Sequence, residues 1–252
     1  MTRTALFLAA IVLSTLVEPH ARACSCVGPH LAFLSPTSNA APTNAHVIVE
    51  APSSGHQTSQ FVLRIHNGAT IPTTAKLYSE PVITIVELVP TAPLPASTRF
   101  EVAWIEPSQH PPTQVVGTFM TATAPDTTAP RLDSLGKQHT RINAVSGGGD
   151  CSIAGPWIQF DDFIAQDNRA DAQLAFGVWK PNASGVIDTT RQPDVLLFPY
   201  ERRLSIGQTS LCDPHRFAFS GSTVSLAVAA IDESGNTSRA IRVRADVTKN
   251  TP

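Results

Sequence analysis

Between Leu31 and Thr123 the chain never sustains an apolar pattern for longer than a short strand. β-prone runs of five to seven residues alternate with proline- and serine-rich breaks. The runs are His46-Val47-Ile48-Val49-Glu50, Phe61-Val62-Leu63-Arg64-Ile65, Val82 to Leu88, Arg99 to Ile105 and Val115 to Met120. A helix would need a longer stretch with a 3.6-residue stripe, and this half has none. In Arg99 to Ile105, Phe100, Val102 and Trp104 fall on one face with Glu101 and Ala103 on the other, the period of a half-buried strand. The 21 prolines and 14 glycines supply the turns that such a pattern requires. Regularly spaced short strands of this kind predict an all-β sandwich or barrel.

The second half repeats the theme. Ala124-Pro125-Asp126-Thr127-Thr128-Ala129-Pro130 sets prolines around small polar residues without an apolar pattern, and reads as a linker over 125–130. Strands are predicted at Trp157 to Phe160, Gln173 to Trp179, Val195 to Phe198, Ser222 to Ile231 and Arg239 to Val247. Within Thr223 to Ile231, Val224, Leu226, Val228 and Ala230 alternate with small residues. Asp232-Glu233-Ser234-Gly235-Asn236 then turns the chain back, as in a hairpin whose Gly and Asn accept positive φ.

Met1 to Ala23 has the three parts of an export leader: the charge of Arg3, the apolar run Ala5 to Val17, and a small-residue site at Ala21-Arg22-Ala23. The run is too short to span a bilayer, which needs about 20 apolar residues, and no later segment offers them. Cleavage after Ala23 predicts a protein that is secreted, periplasmic or on the cell surface. A second reading is a lipid anchor on Cys24. Bacterial lipoprotein leaders resemble this one in placing Cys at that position, but they usually carry Leu where Ala21 stands. Removing 23 of the 252 residues leaves 229, enough for two domains of about 100 to 120 residues. The boundaries read as 24–124, linker 125–130 and 131–252.

Outside the cytosol, four cysteines read as disulfides rather than metal ligands. Cys151 and Cys212 both lie in the second half and are expected to pair, which would stabilise by about 4 kcal/mol through the loop that they close. Cys24 and Cys26 stand at the mature N-terminus. They could join in a strained small ring, bond another chain, or exchange with the distal pair, since four cysteines allow three pairings.

The string Leu34-Ser35-Pro36-Thr37-Ser38-Asn39-Ala40-Ala41-Pro42-Thr43-Asn44-Ala45-His46-Val47-Ile48-Val49 resembles the opening of bacterial Ig-like domains of the surface-layer type. Leu94-Pro95-Ala96-Ser97-Thr98-Arg99-Phe100-Glu101-Val102 is similar to a later strand entry of that family, and Gly117-Thr118-Phe119-Met120-Thr121 to its closing strand. Ala41 and Phe100 replace the commoner Val and Tyr. The likeness covers roughly the first 100 mature residues and implies a β-sandwich there. The Ala230-to-Asn236 hairpin resembles the last one of secreted Ig-like and fibronectin-type modules, implying a second sandwich.

No catalytic constellation emerges. Eight histidines are dispersed without a His-Glu-x-x-His pair, and Val145-Ser146-Gly147-Gly148-Gly149-Asp150 lacks both the strand-turn-helix context of a nucleophile elbow and the lysine of a phosphate loop. Asp161, Asp162, Asp167 and Asp171, then Asp232 and Glu233, and Asp126 in the linker bring calcium to mind, but their spacing is not an EF-hand and they read as solvated turn carboxylates. Trp104, Trp157 and Trp179 read as core, and with only 6% aromatic residues a carbohydrate platform has few rings to use. Asn182-Ala183-Ser184 and Asn236-Thr237-Ser238 match a glycosylation sequon, relevant only in a eukaryotic secretory route. A formal charge of -2 without a basic cluster excludes nucleic acid as the expected partner.

Cys24-Ser25-Cys26-Val27-Gly28-Pro29-His30 resembles the first residues of tissue inhibitors of metalloproteinases. That likeness implies that the Cys24 amine and carbonyl would chelate a protease zinc, with Cys26 as a disulfide-bonded support. The reading favoured by the whole chain is an exported, non-catalytic Ig-like protein, without cofactor or metal, acting on a protein or cell-envelope component in adhesion. The alternative is a secreted enzyme or metalloprotease inhibitor, with a site assembled from residues distant in sequence.

Overall fold

The structure, a computed structural model, describes residues 31–37, 40–52, 60–79, 83–105, 113–141, 156–207, 219 and 221–248. Among these the chain is all-β, and its named strands pair in several antiparallel sheets. No helix among the described residues is long and apolar enough to cross a membrane.

The first half contains β1 (Ala32–Ser35), β2 (Val47–Pro52), β3 (Phe61–Ile65), β4 (Thr73–Ser79), β5 (Ile83–Pro90), β6 (Arg99–Ile105) and β7 (Thr113–Met120). They form a four-stranded sheet, β1-β2-β5-β4, and a three-stranded sheet, β3-β6-β7. Val47 pairs with Leu88 and Val49 with Val86, while Leu63 pairs with Val102 and Ile65 with Phe100. The period-two alternation of side chains therefore brings Val47, Val49, Val86 and Leu88 into one core with Leu63, Phe100, Val102 and Phe119. The Phe100 and Phe119 rings stack with centroids 5.4 Å apart.

β3 and β6 have the bounds expected from their apolar runs. β6 is not half-buried, however: Glu101 and Ala103 are buried along with Phe100, Val102 and Trp104. Glu101 tolerates this because Arg64 Nε donates to its Oε1 and His66 Nδ1 lies 3.1 Å from its Oε2. β1, Ala-Phe-Leu-Ser, is apolar but shorter than the expected runs, and β4 is not legible as an apolar run. β4, Thr-Thr-Ala-Lys-Leu-Tyr-Ser, lies at a sheet edge with most of its side chains in solvent, so it has no apolar periodicity to read.

The second half contains β8 (Arg131–Ser134), β9 (Lys137–Arg141), β10 (Trp157–Asp161), β11 (Ile164–Gln166), β12 (Ala175–Trp179), β13 (Val195–Leu197), β14 (Arg203–Gly207), β15 (Thr223–Ile231) and β16 (Ile241–Asp246). Its sheets run β14-β10-β9, β11-β8 and β13-β12-β15-β16. Val224, Leu226, Val228 and Ala230 all enter the core, with Ile158, Phe160, Phe176, Leu204 and Ile206. On the other face of β15, Ala227 and Ala229 pack with Trp179 and Ile187. Gly177 in β12 makes room there, since a Cβ on it would sit 2.7 Å from the Trp179 ring and 2.9 Å from Ile231 Cδ1. Trp104 and Trp179 are core residues as expected, whereas Trp157 is half-buried.

A third apolar cluster joins the halves. Ile48, Tyr78 and Ile85 alternate with the core residues of the β1-β2-β5-β4 sheet and meet Ala175 and Leu196 from β12 and β13. The sheet is thus covered on both faces, which explains why β5 reads as a nearly continuous apolar run. In the segment 125–130, expected as a linker, Asp126 and Pro130 are buried.

Phe100 and Phe160 are fully buried, one in each of the two large cores. Phe100→Ala and Phe160→Ala are each expected to cost about 3–5 kcal/mol of unfolding free energy, measured by urea denaturation.

Candidate functional site

The turn between β15 and β16 is built by Asp232. Its Oδ1 accepts from the backbone N–H of Ser234 at 2.8 Å and of Asn236 at 2.9 Å, and its Oδ2 accepts from Asn236 Nδ2 at 2.8 Å. An aspartate that hydrogen-bonds its own following backbone fixes a tight turn. Gly235 takes φ +79° and lies against the ring of His46, where a side chain would collide. The turn is thereby shaped to enter the first half.

Its tip is held there by polar contacts. His46 N–H donates to the Glu233 carbonyl at 2.7 Å, Ser234 Oγ donates to Asn44 Oδ1 at 3.0 Å, and Thr37 N–H donates to Glu233 Oε1 at 3.2 Å. Glu233 is only 2% exposed, and Arg169 Nη1 lies 3.4 Å from its Oε2 while Arg169 Nη2 donates to the Ala40 carbonyl. The linker joins the same network: Asn44 Nδ2 and Asn236 Nδ2 both donate to the Asp126 carbonyl, at 2.8 and 3.1 Å, and Asp126 N–H donates to Asn44 Oδ1 at 2.9 Å. Glu233 and Asp232, expected in solvent as turn carboxylates, are buried because the turn docks.

Beside the tip, one carboxylate oxygen each from Asp126, Asp167 and Asp232 lie within 4.8 Å of one another. Asp126 Oδ1 accepts from Thr128 N–H at 2.9 Å and from Asn168 Nδ2 at 3.2 Å. Asp167 accepts from Asn168 N–H through Oδ1 at 2.9 Å, but its Oδ2 is buried without a donor. Burial pushes the Asp167 carboxyl up, against hydrogen bonds from the Asn168 and Arg169 backbone, and the Asp126 charge adds to the rise. Burial also raises Asp232, with the Asp167 charge acting in the same direction against the Asn236 and Ser234 hydrogen bonds. The other expected acids stand apart. Asp161 pairs with Arg203 and His139, Asp162 faces Arg202, and Asp171 lies on the surface 4.0 Å from Arg169.

A cleft of about 390 Å³ opens between the halves, lined by His46, Tyr78, Glu87, Trp179, Arg191 and Asp232 among others. At its base the buried Glu87 carboxylate gathers three partners: His46 Nδ1 at 2.5 Å and Lys76 Nζ at 3.3 Å on Oε1, and the Tyr78 hydroxyl at 2.6 Å on Oε2. Burial alone would raise this carboxyl. The hydrogen bond and charge of His46, the Tyr78 hydroxyl and the Lys76 charge outweigh it and hold Glu87 at about 2. Burial and the Glu87 anion push the Tyr78 phenol well above its ordinary range. A carboxylate so strongly favoured as the anion is a weak base, and a phenol so strongly protonated is a poor nucleophile. Across the cleft Arg191 grips Asp194 with two hydrogen bonds of 2.9 and 2.6 Å, and Gln192 Nε2 donates to the Leu77 carbonyl at 2.8 Å.

Each described histidine thus sits beside a carboxylate: His46 by Glu87, His66 by Glu101 and His139 by Asp161. None of these pairings was legible in the dispersed sequence positions. Glu87 gave one usable signal, a lone acid inside an apolar run. Cys24, Cys26, Cys151, Cys212 and the run Ser146 to Asp150 lie outside the described residues.

Glu87 has a carboxyl lowered on folding from an ordinary 4.5, so the stability that it confers is complete above pH 4.5 and is lost as pH falls toward 2. Relative to Glu87→Gln, the unmodified chain is expected to lose about 3 kcal/mol across that window, measured by urea denaturation at successive pH values. Gly235→Ala adds a side chain at positive φ against His46 and is expected to destabilise by about 1–3 kcal/mol in the same assay at neutral pH.

No protein-family model matches the chain, and no curated protein matches it. Among solved structures, the chain is similar to pullulanase type I from Bacillus subtilis strain 168 complexed with maltose, at 10% identity over 87% of its own length with a TM-score of 0.25. It is similar also to pullulanase from Anoxybacillus sp. LM18-11 complexed with maltotriose, at 10% identity over 86% with a TM-score of 0.24. The chain spans 25% of the length of each of these structures.

Proposed function

We propose that this is an exported, non-catalytic protein of two tandem β-sandwiches, Ig-like in the first half and fibronectin-like or Ig-like in the second, acting in adhesion or protein interaction at the cell envelope or outside the cell. Several features support the reading. In the first half the first, second, fifth and fourth strands face the third, sixth and seventh, the order of an Ig constant-type sandwich. The second half sets β9, β10 and β14 against β13, β12, β15 and β16, the three-plus-four division of related modules. The leader pattern of Met1 to Ala23 supports export.

The observation that carries the non-catalytic reading is the commitment of the ionisable groups in the cleft. Glu87 is occupied by His46, Tyr78 and Lys76, and Arg191 is occupied by Asp194, so these side chains are committed to partners within their own half and are not poised for proton transfer. Recognition then falls to exposed loops and sheet edges, such as edge strand β7 with its exposed Val115 and Met120. The mature chain, tagged at its C-terminus and incubated with intact envelopes of the producing cells, is expected to sediment with them. Complete recovery in the supernatant would overturn the reading.

A further inference from the structure

The arginines of the chain are not used alike. Among the described side chains, Arg64, Arg131, Arg169, Arg191, Arg202 and Arg203 each have a carboxylate within ion-pair distance. Arg239, Arg242 and Arg244 have none, a condition shared with Arg99 in β6. Arg242 and Arg244 are exposed residues of β16, on the face opposite the core residues Val243 and Ala245. Alternate residues of a strand are about 6.8 Å apart, so the two arginines form a short row. Across the ladder they face Ala227 and Ser225, neither of them an acid. Asp246, next along that face, is already bound by the N–H and hydroxyl of Thr248. In a chain with a formal charge of -2, the row concentrates positive charge at one place.

The backbone of the same residues is also unpaired. β16 ends the sheet order β13-β12-β15-β16, so among the described strands it has a neighbour on one side only. Val247 N–H donates to the Ser222 carbonyl at 2.8 Å. Hydrogen-bonded pairs alternate along an antiparallel ladder, so Ala245 with Val224 and Val243 with Leu226 are the pairs that exchange both bonds with β15. The N–H and C=O groups of Arg242 and Arg244 therefore point to the open side. Among the described residues one of them has a contact: Gln138 Nε2 approaches the Arg244 carbonyl at 3.5 Å, long for a hydrogen bond and made by an exposed side chain. Each arginine thus offers a guanidinium group and a peptide group along one edge.

A partner that uses both kinds of group is an extended peptide. Charged side chains at an edge deter indiscriminate strand pairing, and charges of one sign do so selectively, because an incoming carboxylate converts repulsion into attraction. In an added strand the residues opposite Arg242 and Arg244 are two positions apart and on the same face, which sets the spacing of the acids. Nucleic acid or an anionic lipid surface would engage the guanidinium groups and leave the peptide groups unused. A second copy of β16 has a single acid to bring, Asp246, which Thr248 already holds. We propose that the open edge of β16 receives an extended acidic segment of another protein as an antiparallel strand, with carboxylates at alternate positions opposite Arg242 and Arg244. The proposal rests on the reading of the chain as a protein-interaction module and specifies the chemistry of the partner.

The test uses the full mature chain and a labelled synthetic peptide of alternating glutamate and threonine, about eight residues long and blocked at both ends. Fluorescence anisotropy is expected to show saturable binding at low salt, weakened about tenfold in about 1 M sodium chloride. Arg242→Glu combined with Arg244→Glu is expected to weaken it by more than about tenfold, while Arg131→Glu, a charge reversal of equal exposure on β8, leaves it unchanged. Should the double reversal fail to fold, Arg242→Gln with Arg244→Gln is expected to weaken binding about tenfold at an unchanged melting temperature. N-methylation of the glutamate nitrogens, which face β16, is expected to abolish binding, and N-methylation of the threonine nitrogens, which face away, to spare it. Equal binding of the two methylated peptides, or of single-stranded DNA with the same number of charges, would overturn the proposal in favour of general attraction for polyanions. Absence of binding up to about 1 mM peptide would overturn it as well. Sedimentation with envelopes alongside such a failure would remove the β16 edge and leave the wider reading standing.

Discussion

The insertion of the Asp232–Asn236 turn into the first half is the contact on which the rest of the junction depends. At its tip Glu233 is a carboxylate almost wholly withdrawn from water, held by Thr37 N–H and by Arg169. Arg169 belongs to the same half as the turn, so what ties the turn to the first half is the Thr37 N–H on the Glu233 carboxylate, the His46 N–H on the Glu233 carbonyl and Arg169 Nη2 on the Ala40 carbonyl. Stranding a buried group by losing such a bond costs about 1–3 kcal/mol. Once the turn is seated, its neighbours follow. Asn44 reaches the linker backbone, Asp126 approaches Asp167 and Asp232, and the face carrying Ile48, Tyr78 and Ile85 meets Ala175 and Leu196. The cleft above Glu87 is the space left over between these contacts.

The β5 strand shows how one short run serves two interiors. Val86 and Leu88 enter the core of the first half, while Ile85 and Glu87 face the second half. The apolar residues supply most of the burial. Glu87 supplies direction within its own sheet, because its oxygens require donors at defined positions and receive them from β4 and from the residue leading into β2: Tyr78, Lys76 and His46. Those donors all belong to the first half, so the buried carboxylate fixes the shape of the face that the second half covers.

Strands with apolar periodicity were legible because each reports on its own burial. Phe61 to Ile65 and Arg99 to Ile105 were read to the residue, and the alternation of Val224, Leu226, Val228 and Ala230 identified the core face of β15. Polar edge strands such as Thr73–Ser79 and Lys137–Arg141 were not, since they bury single residues, Tyr78 and Thr140, among polar neighbours and carry no periodic apolar signal. The turn at Asp232 to Asn236 was legible from local chemistry, yet its burial was not. Asp126, Asp167 and Asp232 each look like an ordinary turn or linker acid, and only the tertiary fold brings them together. Spacing along the chain carries no information about a cluster assembled from three separate segments.

The two large cores have no residue in common, and the cluster that bridges them is small: Ile48, Tyr78 and Ile85 against Ala175 and Leu196, with a few half-buried neighbours. Apolar burial therefore stabilises each half far more than it stabilises their union. The union rests on hydrogen bonds and charges, whose strength depends on protonation and on ions in a way that hydrophobic contacts do not.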